Sequence, residues 1–315
     1  MIRRRLEVPP RNGRLAIHIA STREELEGAF RLLHDLYVAQ GLMKPHPSRF
    51  RCNIYQASPD TATIVALDGA RAVGTVSVIK DSGLRFPSDD VYRRENNRYR
   101  DLGYRMCEIS ALAIHPEYRR RHATALGLMK YLFRYATHFM NCTMLCATVH
   151  PRALDFYRAV FNFRQNGKAV RYQFAENAPA IHISTDCLVL KDWMRNQFGR
   201  APARRNLYQF IFKNDYPRMT FPNWRLGCTP DPVMTAELLE YFFVRNSEVF
   251  REASAEQLTF LKSAYQLYFD IEQIPYFNRT LPARTAPCHG HGLPFFTESP
   301  DPPDPKDPPR QIHQP

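Results

Sequence analysis

The sequence predicts an α/β domain with a mixed, mostly antiparallel sheet flanked by helices, followed by a helical extension. Up to about residue 190, strand and helix patterns follow the order β-α-β-β-α-β-α-β-α-β-β. Beyond about residue 200 the patterns are helical or aromatic and irregular, and ten of the last 35 residues are proline. We therefore expect a basic N-terminal extension at 1–13, a core domain at 14–195, a helical extension at 196–280 and a proline-rich disordered tail at 281–315.

Composition excludes several classes of protein. The chain has 315 residues, 44% of them hydrophobic, and no apolar run approaches the roughly 18 to 20 residues that a membrane-spanning helix needs. The basic N-terminus lacks the apolar segment of a secretory signal, and the seven cysteines form no CxxC pair, so we expect a cytoplasmic protein with reduced thiols. The net charge of +12 indicates an acidic partner. Charge alone does not distinguish among nucleic acid, cofactor phosphates, an acidic protein and anionic lipid.

The first half of the core domain carries clear local signals. Residues 14–19 alternate like a strand, and Thr22 with Glu25 has the spacing of a capping box ahead of a helix. The run "TATIVALDGARAVGTVSVIKD" predicts two strands joined by a hairpin turn at Asp68-Gly69. The polar stretch "DDVYRRENNRYR" indicates a helix.

The second half is arranged around the strand "RMCEISALAI". Pro116 favours the first turn of the helix that follows, and "CTMLCATV" predicts a central strand. A short helix in "PRALDFYRAVFNF" and two strands, "KAVRYQF" and "AIHISTDCLVL", complete the core. In the extension, "NLYQFIFKNDYPRMTFPNW" predicts an aromatic loop, "MTAELLEYFFV" a helix, and Ser254 with Gln257 a second capped helix.

Two features of residues 107–133 need a chemical explanation. Glu108 is a single carboxylate in an apolar strand, and three arginines, Arg119 to Arg121, follow where that strand turns into a helix. Such a turn offers backbone N–H groups and a helix dipole that favour anions such as phosphate. Each feature also has a structural explanation: a carboxylate that faces solvent or pairs with Arg105, and a solvated basic surface.

The order of these segments resembles the N-acyltransferase fold that GCN5-related acetyltransferases share with autoinducer synthases. The sequence is more similar to the bacterial long-chain N-acyl amino acid synthases of the FeeM type. The resemblance spans roughly residues 14–190 and rests on "RLLHDLYVAQGL", "GTVSVIKDSGLRFPSD", "EISALAIHPEYRR" and "HPRALDFYRAVFNF". It implies an enzyme that transfers a long-chain fatty acyl group from a thioester to the α-amine of an amino acid.

The resemblance places the acyl donor on the loop after the central strand, where acetyl-transferring members have Arg/Gln-x-x-Gly-x-Gly/Ala. Here the stretch is "RRRHATA", and the first glycine is absent in either alignment. Glycine permits close backbone approach to a pyrophosphate, so its absence disfavours acetyl-CoA and favours a phosphopantetheine arm on an acidic acyl carrier protein, with acyl-CoA as the other donor. The implied donor-binding residues are Ala111, Leu112, Ala113, Arg119, Arg120, Arg121, His122, Ala123 and Thr124.

Glu108, Ser110 and Tyr157 are the implied catalytic residues. Autoinducer synthases carry Glu-x-Ser-Arg on the corresponding strand, and this sequence has "EISA" there. A normal glutamate, with a pKa of about 4.3, is a poor base for an α-amine of pKa about 7.7 to 8, so either burial must raise the glutamate pKa or a water must relay the proton. Tyr157 lies where related enzymes place a tyrosine that protonates the leaving thiolate.

The remaining site predictions concern the oxyanion and the acceptor. A bulge around Ser110 to Ala113 would expose backbone N–H groups to the oxyanion of the tetrahedral intermediate. An amino-acid acceptor needs a cation for its carboxylate, and a bidentate arginine is the usual partner. The implied acceptor-binding residues are Arg49, Arg51, Asp81 and Arg105, each of which also fits an ordinary surface charge.

The sequence predicts no tightly bound cofactor, no metal site and no nucleic-acid partner. The acyl-phosphopantetheine thioester would be a co-substrate, and the chain allows peripheral contact with a membrane. Three alternatives stay open. They are a GCN5-related acetyltransferase that uses acetyl-CoA on an amine or protein, an autoinducer synthase, which Ala111 and the C-terminal extension disfavour, and a non-catalytic acyltransferase-fold module that binds an acidic partner.

Overall fold

A seven-stranded sheet forms the centre of the computed structural model, which describes residues 6–119, 122–172, 176–223 and 231–278. The strand order is β1-β2-β3-β4-β5-β7-β6, and β4 and β5 are parallel while the other neighbours are antiparallel. This confirms the predicted α/β class and the mixed, mostly antiparallel sheet. The strands are β1 (Ala16–Ile19), β2 (Thr61–Asp68), β3 (Arg71–Lys80), β4 (Met106–Ile114), β5 (Met144–Val149), β6 (Arg164–Tyr172) and β7 (Ala178–Asp186).

Helices cover both faces of the sheet. One hydrophobic cluster joins the sheet to α3, α4, α5 and α6, and a second cluster joins the opposite face to α1, α7, α8 and α9. A π-helical turn at Tyr241–Arg245 continues α7. The helices are α1 (Arg23–Ala39), α2 (Asp89–Asp101), α3 (Ala123–His138), α4 (Leu154–Phe161), α5 (Cys187–Phe198), α6 (Leu207–Phe212), α7 (Ala236–Glu240), α8 (Val249–Glu252) and α9 (Ala255–Tyr265).

The strongest local signals of the sequence are confirmed. Thr22 forms a complete capping box at the start of α1, and Ser254 forms one at the start of α9. The turn between β2 and β3 closes with the pair Asp68–Arg71, and Gly69 has φ +63°, a left-handed conformation that glycine adopts without strain.

Three boundaries were wrong. Pro116 begins a short 3₁₀ turn, and α3 starts only at Ala123, because His122 takes a left-handed conformation and interrupts the helix. The strand expected in "AIHISTDCLVL" ends at Asp186, whose carboxylate caps α5. The aromatic loop expected after residue 206 contains α6, which the side chain of Asn206 caps. In the last two cases a capping side chain outweighed the apolar or aromatic pattern.

The C-terminal extension packs on the core. Tyr265 Oη donates a hydrogen bond to the carbonyl of Ala57 at 2.9 Å, and the buried ammonium of Lys130 donates to the carbonyl of Phe210. The described residues belong to one unit, which spans Met1–Arg279. The tail predicted at 281–315 lies outside the described residues, as do Arg120 and Arg121. Within the described part of the chain, no helix is long and apolar enough to cross a membrane.

Candidate active site

The parallel strands β4 and β5 separate in the middle of the sheet. Their pairing ends at Ile109 and Ala147, whereas β4 continues to Ile114. β5 continues to Val149 in its pairing with β7. Among the described residues, no strand replaces β5 beside the second half of β4. A gap therefore opens between two central strands.

A β-bulge lies on the same stretch of β4. One residue of β3, Val76, stands opposite two residues of β4, Ala111 and Leu112. Ala111 has φ +55°, in the left-handed region that side chains other than glycine rarely adopt. The predicted bulge around Ser110 to Ala113 is thus confirmed, and its backbone borders the gap.

Glu108 lies one residue before the gap, opposite Cys146 of β5 and Ile79 of β3. Its side chain is only 2% exposed, and burial raises the pKa of this carboxyl group to about 8. Both structural explanations of Glu108 are excluded: it does not face solvent, and the exposed Arg105 instead donates from Nε to the carbonyl of Asn141 at 2.7 Å. Glu108 therefore has the burial and the pKa of a group that can exchange a proton near neutral pH.

Ser88 holds the Glu108 carboxylate in place. Its backbone N–H and its hydroxyl both donate to Oε2 of Glu108, at 3.2 and 2.6 Å, and its Oγ accepts from Nδ2 of Asn96 at 2.9 Å. Ser88 precedes α2 in the N-cap position, yet its side chain makes no capping hydrogen bond. The sequence missed this role, because a serine ahead of "DDVYRREN" is typical of an N-cap.

A second carboxylate beside Ser88 is held by an arginine. Arg100 donates to both oxygens of Asp89, at 2.8 and 2.6 Å, and to both oxygens of Asp81, at 2.6 and 2.9 Å. Burial alone would raise the pKa of Asp89, but the hydrogen bonds from Arg100, the Phe86 N–H and Asn96 hold it below the usual range. Asp81, predicted to bind the acceptor, is therefore engaged in fixing α2 to the end of β3.

The charge of Glu108 acts on two tyrosines, a third tyrosine acts on one of these two, and the sequence indicated none of the three. Burial raises the pKa of Tyr55 and Tyr172, and the charge of Glu108 raises both further. Tyr37, on α1, also acts electrostatically on Tyr172. These phenols come from α1, a short 3₁₀ turn at Ile54–Ala57 and the end of β6, so only the folded chain brings them together.

Tyr157 lies on α4, on the other face of the sheet. Its ring packs against Phe156 and Phe163, with centroids 5.5 and 5.4 Å away, and it is 6% exposed. Burial raises the pKa of Tyr157 to about 12, and Tyr37 adds to the shift. Tyr157 is thus a protonated phenol at neutral pH.

The loop predicted to bind the donor contacts α4. His122 has φ +58°, the conformation available to the absent glycine, and its exposed ring packs on Phe156 with centroids 5.1 Å apart. Arg119 is exposed and donates from Nε to the carbonyl of Ile114 at 2.9 Å. Thr124 donates from Oγ1 to the carbonyl of Tyr118 at 2.9 Å, which fixes the first turn of α3.

The four predicted acceptor residues are dispersed. The guanidinium of Arg51 stacks over the ring of Tyr37, 4.1 Å from its centroid, and so contacts one of the three tyrosines described above. Arg49 pairs with Asp35 at 2.6 Å on the surface. The structure thus brings Arg51 toward the site, holds Asp81 on Arg100, and engages Arg49 and Arg105 elsewhere. No group of three or more His, Cys, Asp or Glu residues in the described segments is arranged to hold a metal ion.

Comparison with known proteins gives the fold and the family. The structure of FeeM, an N-acyl amino acid synthase from uncultured soil microbes, is 24% identical to this chain, with a TM-score of 0.50, over 57% of this chain and 94% of that one. The CoA-dependent acyl-homoserine lactone synthase BjaI is 19% identical, with a TM-score of 0.43, over 62% of this chain and 98% of that one. Spermidine N-acetyltransferase from Vibrio cholerae is 16% identical, with a TM-score of 0.40, over 56% and 98%. No curated protein sequence matches.

A family model, "N-acyl amino acid synthase FeeM", matches residues 28–186, which are 159 of the 315 residues. This range contains Ser88, Glu108, the bulge and Tyr157, and it spans the sheet from β2 to β7. The chain therefore belongs to the FeeM family of N-acyl amino acid synthases and is an N-acyltransferase.

Proposed function

We propose that this acyltransferase moves a long-chain fatty acyl group from a carrier-protein thioester to the α-amine of an amino acid. The observation that supports this most is Glu108, buried where β4 and β5 separate and with a pKa of about 8. An α-amine has a pKa of about 7.7 to 8, so proton transfer to Glu108 is nearly balanced. An ordinary glutamate would be about 3.5 pKa units too acidic, a deficit of about 5 kcal/mol.

In the proposed mechanism the neutral amine attacks the thioester carbonyl, forming the C–N bond while the carbonyl π electrons move to oxygen. Backbone N–H groups of the bulge, Ser110 to Leu112, donate to that oxyanion. Glu108 takes the proton that the nitrogen loses. Collapse of the intermediate then breaks the C–S bond, and Tyr157 protonates the departing thiolate. Glu108 then releases its proton to solvent and the Tyr157 phenolate takes one back, so both groups return to their starting states and an amide and a free thiol result.

Residues on the two sides of the gap support a carrier-protein donor. His122 places an imidazole where acetyl-CoA-dependent relatives have glycine, and its packing on Phe156 narrows the space for a wrapped pyrophosphate. Exposed cations stand on both sides of this opening: Arg119 on the loop, and Arg152 and Arg158 around α4. This charge suits the acidic surface of a carrier protein that presents its arm here.

A donor competition tests the proposal. The purified protein is incubated with a mixture of the twenty amino acids and one donor at a time: a long-chain acyl carrier protein, the same acyl group on CoA, or acetyl-CoA. Mass spectrometry should detect N-acyl amino acids formed fastest from the carrier protein, and the product mass identifies both the acceptor and the acyl length. Preferred use of acetyl-CoA, or no amide from any donor, would overturn the proposal.

A further inference from the structure

Exposed apolar side chains are concentrated at one end of this molecule. In the described part of the chain, the large apolar side chains that are well exposed are Leu102, Leu188, Val189, Leu267 and Tyr268, at 66%, 71%, 52%, 87% and 44% exposed. We call these five residues the apolar edge. None of them lies inside a strand: Leu102, Leu267 and Tyr268 follow helices, and Leu188 and Val189 begin α5. The contacts described next place these segments where β4 and β5 begin.

The first two segments meet on one carboxylate. Leu102 lies between α2 and β4, and Leu188 and Val189 lie in the first turn of α5. Tyr104, two residues after Leu102, donates from Oη to Oδ2 of Asp186 at 3.2 Å. The other oxygen of Asp186 accepts from the N–H of Leu188 at 2.8 Å. The two segments are therefore neighbours.

The segment that holds Leu267 and Tyr268 lies near the last residues of α3, at the end of the sheet where β4 and β5 begin. Tyr268, next to Leu267, lines a groove together with Lys80, the last residue of β3, and Met140, which follows α3. The adjacent Asn141 accepts the 2.7 Å hydrogen bond from Arg105 at the start of β4. Tyr268 and Leu267 thus belong to the same end of the sheet as Leu102 and Leu188.

Basic side chains accompany the apolar edge. Arg98 lies one helical turn before Leu102, and Lys191 lies three residues after Leu188; both are exposed, as is Arg105. The carboxylates nearby are mostly engaged: Asp186 caps α5 and accepts from Tyr104, and Asp192 pairs with Arg195 at 3.2 Å. Asp101 is exposed beside Leu102. The edge is therefore bordered by exposed cations on the side of Leu102 and Leu188, whereas Asp60 and Asp231 line the groove beside Tyr268.

We propose that the apolar edge binds the surface of an anionic lipid bilayer. Single protruding aliphatic and tyrosine side chains suit the acyl and headgroup boundary of a bilayer, because a fluid phase accommodates them without a complementary pocket. The bordering cations match anionic headgroups. The 16 residues of α3, about 24 Å of helix, separate this end from the loop at His122. A bilayer at the edge therefore leaves the donor opening free.

Vesicle flotation of the full chain tests this directly. Binding is measured to phosphatidylcholine vesicles with and without phosphatidylglycerol, at low and high salt. We expect binding to the anionic vesicles that salt weakens. The double variant Leu188→Ser/Val189→Ser should bind about tenfold more weakly. Arg98→Ser/Lys191→Ser should also lose about tenfold. The matched control Arg152→Ser/Arg158→Ser removes the same charge at the other end and should bind like the wild type.

Several results would overturn the inference: no binding to anionic vesicles, binding that the edge variants leave unchanged, or equal losses in the Arg152/Arg158 control. Sedimentation without lipid tests whether a second copy of the chain binds the apolar edge instead. Self-association of the wild type that Leu188→Ser/Val189→Ser abolishes would make the edge a contact between copies and overturn the inference. Acyl transfer measured without vesicles reports on the proposed reaction alone, so the membrane inference and the proposed function fail separately. Circular dichroism verifies that each variant is folded.

Discussion

Two buried carboxylates, Asp89 and Glu108, are linked through Ser88 and Asn96 yet have opposite pKa shifts. Their residues are 3% and 2% exposed, so the cost of burying the charge acts on both. Asp89 receives two hydrogen bonds from Arg100, and its pKa lies below the usual range, whereas Glu108 receives its hydrogen bonds from the neutral Ser88 and its pKa rises to about 8. A buried carboxylate therefore stays charged and holds the structure together when a guanidinium binds it. It can take up a proton near neutral pH when only neutral groups donate to it.

The two shifts contribute to stability in different pH windows. Glu108 in the folded chain keeps its proton up to about pH 8, while the unfolded chain releases it near pH 4.5, so this group lowers the stability as the pH rises between those values. Asp89 has a lowered pKa, so its contribution is present above about pH 3.8 and is lost as the pH falls through its folded pKa.

The largest expected effect is that of Glu108→Gln. Removing the base should lower kcat by about 10²- to 10⁴-fold. Because glutamine carries no charge, the variant should also unfold at higher urea concentration than the wild type at pH 9, although it loses activity. The control Glu256→Gln, on the exposed surface of α9, should change neither property. Unchanged kcat for Glu108→Gln would remove this residue from the reaction.

Arg100→Gln removes the guanidinium that binds Asp89. It leaves Asp81 and the buried Asp89 without their guanidinium, and we expect a loss of about 3 to 5 kcal/mol in the free energy of unfolding at pH 7. The loss should shrink toward pH 3, where the carboxyl groups bind protons. Urea denaturation at both pH values measures it, with Arg98→Gln on the exposed face of α2 as the control. A loss independent of pH would contradict the assigned role of Arg100.

Local signals in the sequence were sufficient for the order of strands and helices along the core domain and for Glu108. An isolated carboxylate in an apolar strand indicates a buried functional group, and the need for backbone donors to an oxyanion predicted a bulge around Ser110 to Ala113, which the structure has at Ala111 and Leu112. The partners of Glu108 could not be found this way. Ser88 lies 20 residues away and looks like a cap, and Tyr172, whose pKa the charge of Glu108 raises, lies on β6, which β5 and β7 separate from β4. The arginines at 49 and 105 fitted a carboxylate clamp by residue type, but the fold engages both elsewhere.

Ser88→Ala tests whether the hydroxyl of Ser88 sets the pKa of Glu108. Without the hydroxyl, charged Glu108 loses a hydrogen bond worth about 1.5 to 3 kcal/mol, so its pKa should rise by about one to two units. The limb of the kcat profile on the acid side should move to higher pH, and kcat at pH 7 should fall several-fold. Ser263→Ala, a serine that donates to a helical carbonyl on α9, is the control. A profile that keeps its position would show that Ser88 does not set the pKa of Glu108.

The two carboxylates also differ in how open their surroundings are to a substrate. Ala111→Gly tests the bulge beside Glu108 and has the smallest expected effect. Glu108 lies beside the bulge that opens the sheet, whereas Asp89 is closed in by Arg100. Glycine at φ +55° removes the strain that alanine bears there, so the variant should gain about 0.5 to 1 kcal/mol in the free energy of unfolding.

The matched control is Ala113→Gly, two residues further along the same strand and outside the left-handed region. There glycine adds freedom to the unfolded chain and removes a methyl group from the core, so it should cost about 1 kcal/mol or more. Opposite signs for the two substitutions, measured by urea denaturation, would confirm that Ala111 is held in the bulge in solution. Equal losses would mean that β4 is an ordinary strand at this point, and the gap beside Glu108 would then lack the backbone geometry that the oxyanion requires.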